Sequence, residues 1–346
     1  MPFLVKLTSV SLLLSCWLLI SGCETTTSKS VGIDKSQIDK YQFEQGKTFN
    51  VQFEDITIRS QHTGNIDIRI SYPQASTKAH PLIVFSHGHY LNNKSYHALT
   101  DEWVKRGYVV IAPRHLDSGD RETIAALGKR LGHDWISAAR VLDIKAVINQ
   151  VETIENLTEF FSGKILTEKI IAAGHSFGAL TAQILAGATL EQQGNSLYPI
   201  PNILRDDRVA AVVAISPPGL VPGAISKQTW ERFSAPQLVV TGTNDVFEYI
   251  WQDYREHTVS YQAAEPGNNY LLVMDGMDHY MGNLIGRLNK DSAPQKQALD
   301  RVVERSLVFM ETFLTSNMSD KANNESTLNN FKETLAQPGV VTYTRR

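Results

Sequence analysis

The chain has 346 residues, 42% hydrophobic and 20% charged, a composition that fits one large globular domain or two. Its formal net charge of −3, with no basic block, excludes the electrostatic footprint of a nucleic-acid-binding protein. Only Cys16 and Cys23 occur, both near the N-terminus, so the body of the chain has no internal disulfide and no cysteine nucleophile.

Residues 1–22 are unlike the rest. Met1 to Lys6 supply a short positive start, and Leu7 to Ile20 follow as a mainly apolar stretch. It is too short to span a bilayer comfortably and reads as a secretory leader. The ending Ile20-Ser21-Gly22-Cys23 resembles the lipobox of bacterial lipoproteins, which implies lipidation at Cys23 and a place in the cell envelope. Glu24 after the cysteine favours, by the same resemblance, the outer membrane over the inner. Thr25 to Ser30 continue as a polar tether, so residues 23–44 are expected to link an anchored cysteine to a domain at 45–315. Residues 316–346 are expected to be a polar C-terminal extension with a short amphipathic piece near Leu328 to Leu335.

Within 45–315, strands and helices alternate. Phe49 to Ile58 and Ile66 to Tyr72 alternate apolar and polar residues around Thr63-Gly64-Asn65, the pattern of an antiparallel hairpin. Pro81 to Phe85 is a continuous apolar run, as a strand covered on both faces requires. A helix is expected near 95–106, then a strand over Tyr108 to Ala112. Trp135 to Val151 places Val141, Ile144, Ile148 and Val151 at helical spacing and is the clearest amphipathic helix in the chain, and Asp134 stands where a helix cap would. Strands follow at Ile170 to Ala173, Val209 to Ile215, Gln237 to Thr241 and Tyr270 to Met274. This alternation predicts an α/β fold with a mostly parallel central sheet, helices on both faces and an N-terminal antiparallel hairpin.

The most informative motif is Gly174-His175-Ser176-Phe177-Gly178, between the strand ending at Ala173 and a helix over Ala179 to Ala186. G-x-S-x-G in that setting is a nucleophile elbow, a turn so tight that glycines must flank the serine. A serine needs a base, and the base an oriented acid. Of ten histidines only His257 and His279 follow Ser176. His257 lies in the charged stretch Trp251 to His257, with no strand before it. His279 closes Asp275-Gly276-Met277-Asp278-His279 after an apolar strand, where parallel sheets place their chemistry. Asp245 follows another strand through Gly242-Thr243-Asn244 and is the expected acid, with Asp278, Asp275 and Glu248 as weaker options.

The order Ser176, Asp245, His279 is that of the α/β hydrolases, and Pro81 to Phe313 resembles that superfamily. The resemblance rests on Phe85-Ser86-His87-Gly88-His89, the elbow, Thr243-Asn244-Asp245 and Asp278-His279, with Arg140-Val141-Leu142-Asp143 a less specific addition. It points to the branch of dienelactone-hydrolase-like esterases, platelet-activating-factor acetylhydrolases and cutinase-type polyesterases. Ser176 replaces the cysteine of true dienelactone hydrolases, and His89-Tyr90-Leu91 replaces the glycine run of many lipases. The backbone N–H groups of Phe177, which opens the elbow helix, and, by position and resemblance, of His89 are the expected oxyanion donors.

His87 and His89 have metal-ligand spacing, but no Asp-His pair follows them, and no metal or cofactor is expected. Arg114 to Gly119 resembles the polar H-x-G-S turn of many α/β hydrolases, and Tyr280 and Met281 are cleft candidates. The short Pro-containing connection from Ile215 to Gln237 holds no long apolar flap; Leu190 to Asp206 or Phe247 to Ala264 could cover the site instead. The expected activity is carboxylic-ester hydrolysis through an acyl-enzyme, on a small-molecule or lipid-like ester. A serine peptidase would need a gating domain, and an acyltransferase differs only in its products.

Overall fold

The computed structural model describes residues 48–247, 250–286 and 295–315 in full and 340–345 as backbone. These all belong to one compact unit, Lys35–Arg346. The leader expected at 1–22 and the tether expected at 23–44, including Cys23, lie outside the described residues. Among the described residues no helix is long and apolar enough to cross a membrane.

β1 (Val51–Ser60) and β2 (Gly64–Pro73) form the expected hairpin, paired from Val51↔Pro73 to Ser60↔Gly64. β3 (Ala79–Ser86), β4 (Val109–Pro113), β5 (Lys164–His175), β6 (Val209–Ile215), β7 (Gln237–Asn244) and β8 (Asn269–Asp278) are mutually parallel. β9 (Val340–Arg345) closes the sheet antiparallel to β8, giving the order β1-β2-β4-β3-β5-β6-β7-β8-β9. This is an α/β-hydrolase fold. A strand therefore lies inside the segment expected to be a C-terminal extension. Five of its six residues pair with the backbone of β8, a partner that only the folded sheet supplies.

Successive residues of each central strand enter opposite layers, which explains their apolar runs. Leu82 and Val84 of β3 join Val212, Ala214 and Val239 in one core, with helices α3 (His133–Asn149) and α5 (Phe177–Leu185). Ile83 and Phe85 join Val213, Ile215 and Val240 in the other, with α1 (His97–Lys105) and α7 (Lys296–Thr315). The indole N–H of the buried Trp103 donates to Ser306 Oγ at 2.9 Å and ties α1 to α7.

Two local expectations change. α3 is buried at 12 of its 17 positions, so it is an interior helix rather than an amphipathic one. Asp134 does not cap it; Gly132 stands at that position, and Asp134 Oδ2 accepts the N–H groups of Gln193 and Gly194 at 2.7 and 3.0 Å. Its role is to hold a distant loop.

The strand order switches direction at β3, whose neighbours are β4 on one side and β5 on the other. Chain crossovers leave to opposite faces there and open a crevice above the C-terminal ends of β3 and β5.

Candidate active site

Ser176 stands at that crevice. It has φ 55° and ψ −125°, a conformation that L-residues adopt only when their surroundings impose it. Its N–H donates to Ile215 O at 2.9 Å, and its own carbonyl accepts from Ala179 N–H at 2.9 Å. The flanking glycines are steric requirements. A Cβ on Gly174 would sit 2.2 Å from Gly178 O, and one on Gly178 would sit 1.9 Å from Ser86 O. The second contact shows that the elbow helix packs directly on the end of β3. Gly178→Ala should therefore destabilise the fold by about 3 kcal/mol and, by displacing the turn, lower kcat by about 100-fold. Urea unfolding and steady-state kinetics would show both; a variant within 0.5 kcal/mol of the wild type, with wild-type kcat, would contradict this packing argument.

The candidate acid and base meet through strand register. β7 and β8 pair Gly242↔Met274 and then, after an irregularity in β8, Asn244↔Asp278. The next residue on each strand is Asp245 and His279, which are thereby set side by side. Gly242 is what permits the irregularity, since a Cβ there would lie 2.2 Å from Met277 O. β8 runs through Asp278, so His279 follows the strand directly rather than lying deep in a loop. His279 Nδ1 donates to Asp245 Oδ1 at 2.7 Å, and Thr241 Oγ1 donates to Oδ2 at 2.7 Å. Burial alone would push the Asp245 carboxyl up, but the positive charge that His257 and His279 carry when protonated holds it well below the usual carboxylate range. With its Nδ1 proton on a carboxylate, His279 presents the Nε2 lone pair. Nε2 has no hydrogen-bond partner among the described residues, Ser176 Oγ included.

The elbow itself braces the base. His175 Nε2 faces the His279 carbonyl at 2.8 Å, and a carbonyl can only accept, so Nε2 carries the proton. His175 Nδ1 therefore accepts from Tyr96 Oη at 2.9 Å, and Tyr96 Oη in turn accepts the Gly88 N–H at 2.9 Å. Burial drives His175 down to about 3, which keeps this chain of bonds uncharged. The serine turn, the base and the loop after β3 are thus one hydrogen-bonded unit, and the rings of His175 and His279 lie 4.7 Å apart.

The loop after β3 is held from behind. His89 Nδ1 bonds Asp117 Oδ2 at 2.5 Å, Tyr90 N–H donates to Asp117 O at 3.0 Å, and Tyr90 takes a positive φ of 67°. Arg140, fully buried, donates to Asp117 Oδ1 at 2.5 Å, to Ser86 Oγ at 3.1 Å, to Thr181 Oγ1 at 3.0 Å and to the His87 carbonyl. One guanidinium therefore joins the ends of β3 and β4 to the elbow helix. Although burial opposes it, Arg140 and His89 hold Asp117 well below the usual carboxylate range. The His89 and Phe177 amides have no acceptor among the described residues, and Phe177 opens α5, where a helix N-terminus favours negative charge.

His87 and His89 do not form a metal pair. His87 Nδ1 donates to Gly88 O at 2.8 Å and its Nε2 accepts the His115 N–H at 3.0 Å, so both nitrogens are engaged within the protein. In the polar turn of Arg114 to Gly119, His115 and Asp117 are buried and hydrogen-bonded to Asp143, His89 and Arg140.

Behind Arg140 lies a second Ser-His-Asp alignment closed to substrate. Ser86 Oγ meets His115 Nε2 at 3.0 Å and His115 Nδ1 meets Asp143 Oδ2 at 2.9 Å, all three side chains buried. Burial pushes Asp143 up to about 7, against the Thr63 hydroxyl on Oδ1, and drives His115 well below its ordinary value. Both are then neutral, with the acid proton on Oδ2 facing His115. An unfolded aspartate ionises at about 4 and an unfolded histidine takes up a proton below about 6.5, so between these values the folded state keeps a proton on Asp143 that the unfolded state has lost and lacks one on His115 that the unfolded state has gained. The pair's two contributions to the pH dependence of stability therefore oppose and nearly cancel each other. Asp143→Asn removes the first and leaves the second, so its stability relative to the wild type should rise with pH, by up to about 1.4 kcal/mol per pH unit in urea unfolding between about pH 4.5 and 6.5; a difference that does not change with pH would contradict the neutral pairing.

Sequence reasoning set His257 aside, yet it lies fully buried against the candidate acid, with Nε2 3.2 Å from Asp245 Oδ1. The signal was its being one of only two histidines after Ser176; the charged stretch around it argued against it. Phe247 and Tyr280 flank the base, their rings 5.5 and 4.9 Å from that of His279. Phe247 and His257, both from the stretch that could cover the site, thus stand against His279 and Asp245 respectively. Met281 is fully buried and lines no cleft.

A mostly parallel sheet with a strained serine at its switch point and an Asp-His pair at neighbouring strand ends defines an α/β hydrolase. Residues 39–217 match the chlorophyllase family, and the chain belongs to that family of α/β-hydrolase-type ester hydrolases. The match takes in the elbow and the loop after β3 but ends before Asp245 and His279. No match to the chain was found among curated proteins.

Proposed function

We propose that the protein is a serine carboxylic-ester hydrolase in which Ser176, His279 and Asp245 form the catalytic triad. The observation that carries this is the 2.7 Å bond from His279 Nδ1 to Asp245 Oδ1, which leaves Nε2 as the only basic nitrogen of that ring, beside the elbow. His279 Nε2 takes the proton of Ser176 as Oγ attacks the ester carbonyl, the hydrogen bond between them tightening as substrate binds. The His89 and Phe177 amides hold the oxyanion, and each such donor is worth about 10²–10³ in rate. The imidazolium gives its proton to the departing alcohol, and water repeats the sequence to release the acid. Asp245 stays ionised and stabilises the imidazolium. No step calls for a cofactor.

The surroundings suit a lipid-like ester. Val246 and Ile250 are 46% and 54% exposed beside Phe247, directly after the acid. The branch resemblance, to acetylhydrolases and cutinase-type polyesterases, supports the same substrate class. The apolar stretch of Leu7 to Ile20 and Cys23 support attachment of the domain to the cell envelope through a lipidated cysteine, at the outer membrane.

A p-nitrophenyl ester chain-length series, with fluorophosphonate labelling of Ser176 mapped by mass spectrometry, tests the reading. Turnover that improves with acyl length, together with labelling at Ser176, is the expected result. An unlabelled protein would overturn the triad, cleavage of peptides but not esters would identify a peptidase, and ester formation with added alcohol would identify a transferase. Radiolabelled palmitate should be incorporated in the bacterial host and lost in Cys23→Ser.

A further inference from the structure

We infer that Asp245, His257 and His279 form a binding site for a divalent transition-metal ion, and that its occupation switches the hydrolase off. His257 is carried by the 3-10 turn Tyr254–Thr258, and its Nδ1 lies 2.7 Å from the Pro217 carbonyl. A carbonyl can only accept, so Nδ1 holds the proton and the neutral ring keeps a lone pair on Nε2. That lone pair faces Asp245 Oδ1 at 3.2 Å without an aligned hydrogen bond, although both side chains are fully buried. A lone pair and a carboxylate oxygen held this close in a dry interior repel unless a positive charge joins them.

The spacing is that of two ligands on one ion. Metal bonds of about 2.0–2.1 Å at tetrahedral angles set donor atoms about 3.3 Å apart. Anchoring of Nδ1–H by a backbone carbonyl is also the arrangement that orients an imidazole as a metal ligand. His279 supplies the third donor, and one ligand atom from each residue lies within 4.8 Å of the other two. Two imidazoles and one carboxylate suit Zn²⁺, Ni²⁺ or Cu²⁺ better than Ca²⁺ or Mg²⁺, which prefer oxygen ligands.

Binding opposes catalysis by simple proton accounting. The ion takes the His279 Nδ1 lone pair and displaces the proton now shared with Asp245. That proton moves to Nε2, where it blocks acceptance of the serine proton. The carboxylate charge that should stabilise the imidazolium is at the same time spent on the ion. The inhibitory consequence rests on the triad proposed above, whereas metal binding does not.

The test uses the full chain, stripped with EDTA and dialysed. Calorimetry with Zn²⁺ should show one ion per chain, visible absorption with Co²⁺ should show a tetrahedral spectrum, and Zn²⁺ should suppress ester turnover over the same concentration range. Losing a ligand should weaken Zn²⁺ binding and inhibition by at least about 100-fold in His257→Gln, each variant being compared with its own metal-free rate. His62→Gln, which alters an exposed histidine, should leave both unchanged. Nitrogen NMR of the wild type provides a readout that needs no variant, since Zn²⁺ should shift His257 Nε2 and leave its Nδ1 protonated. Absence of stoichiometric binding, full inhibition retained in His257→Gln, or an Nε2 of His257 that is protonated and indifferent to Zn²⁺ would each overturn the site. Binding without any esterase activity would uphold the site and fault the catalytic reading instead.

Discussion

Ser176→Ala should lower kcat by about 10⁶-fold on any ester the wild type turns over, with stability changed by less than about 1 kcal/mol. Alanine keeps the Cβ and hence the backbone geometry at φ 55°; only the nucleophilic oxygen is removed. His279→Ala should cost nearly as much, and the double variant should be no worse than either single one, because serine and base act as one unit. Asp245→Asn should be milder, about 10⁴-fold. An amide there would favour the wrong tautomer of His279 while keeping the geometry. Single-turnover kinetics on a p-nitrophenyl ester would read all four. Additive losses from Ser176→Ala and His279→Ala would show that the two do not share a proton, and the triad would fall.

Arg140→Met is expected to have the largest effect on folding. Arg140 and Asp117 are both fully buried and in direct contact, and removing one partner of such a pair typically costs about 3–5 kcal/mol because the other charge is left stranded. The same change removes the donors to Ser86 and the His87 carbonyl, which shape the loop carrying the His89 amide. A fall in kcat of about 100-fold should therefore accompany the lost stability. Asp117→Asn should destabilise by a similar amount and also weaken the hydrogen bond that holds the His89 side chain. The double variant Arg140→Met with Asp117→Asn should be less destabilised than the sum of the two, since neither change then strands a charge. Urea unfolding of the four proteins reads this cycle. Strict additivity would mean that the two side chains are independent, contrary to their 2.5 Å contact.

Much of the architecture is visible in one dimension because its signals are local. The apolar runs at 81–85, 209–215 and 237–241 appear where strands with two buried faces form, within a few residues of their observed limits. The elbow announces itself through two glycines whose absent side chains the fold requires. Where the local signal is weak, sequence reading fails in a regular way. The strand at 340–345 needs the edge of β8, a strand distant in sequence that the sheet brings beside it. Asp134 has the look of a cap, yet its oxygen is claimed by a loop about sixty residues away.

The chain order of residue types by itself determined the fold class, the serine, and its expected partners at two later strand ends. Tertiary structure alone decided how those partners meet, because the irregular register of β7 on β8 is what sets Asp245 beside His279. It also decided their surroundings: His257 on the far side of Asp245, Tyr96 and His175 bracing His279, and Arg140 behind the loop after β3. None of these contacts is encoded by neighbouring residues. They arise from burying polar groups whose hydrogen bonds must be met by whatever the fold brings near, and that matching is defined only in three dimensions.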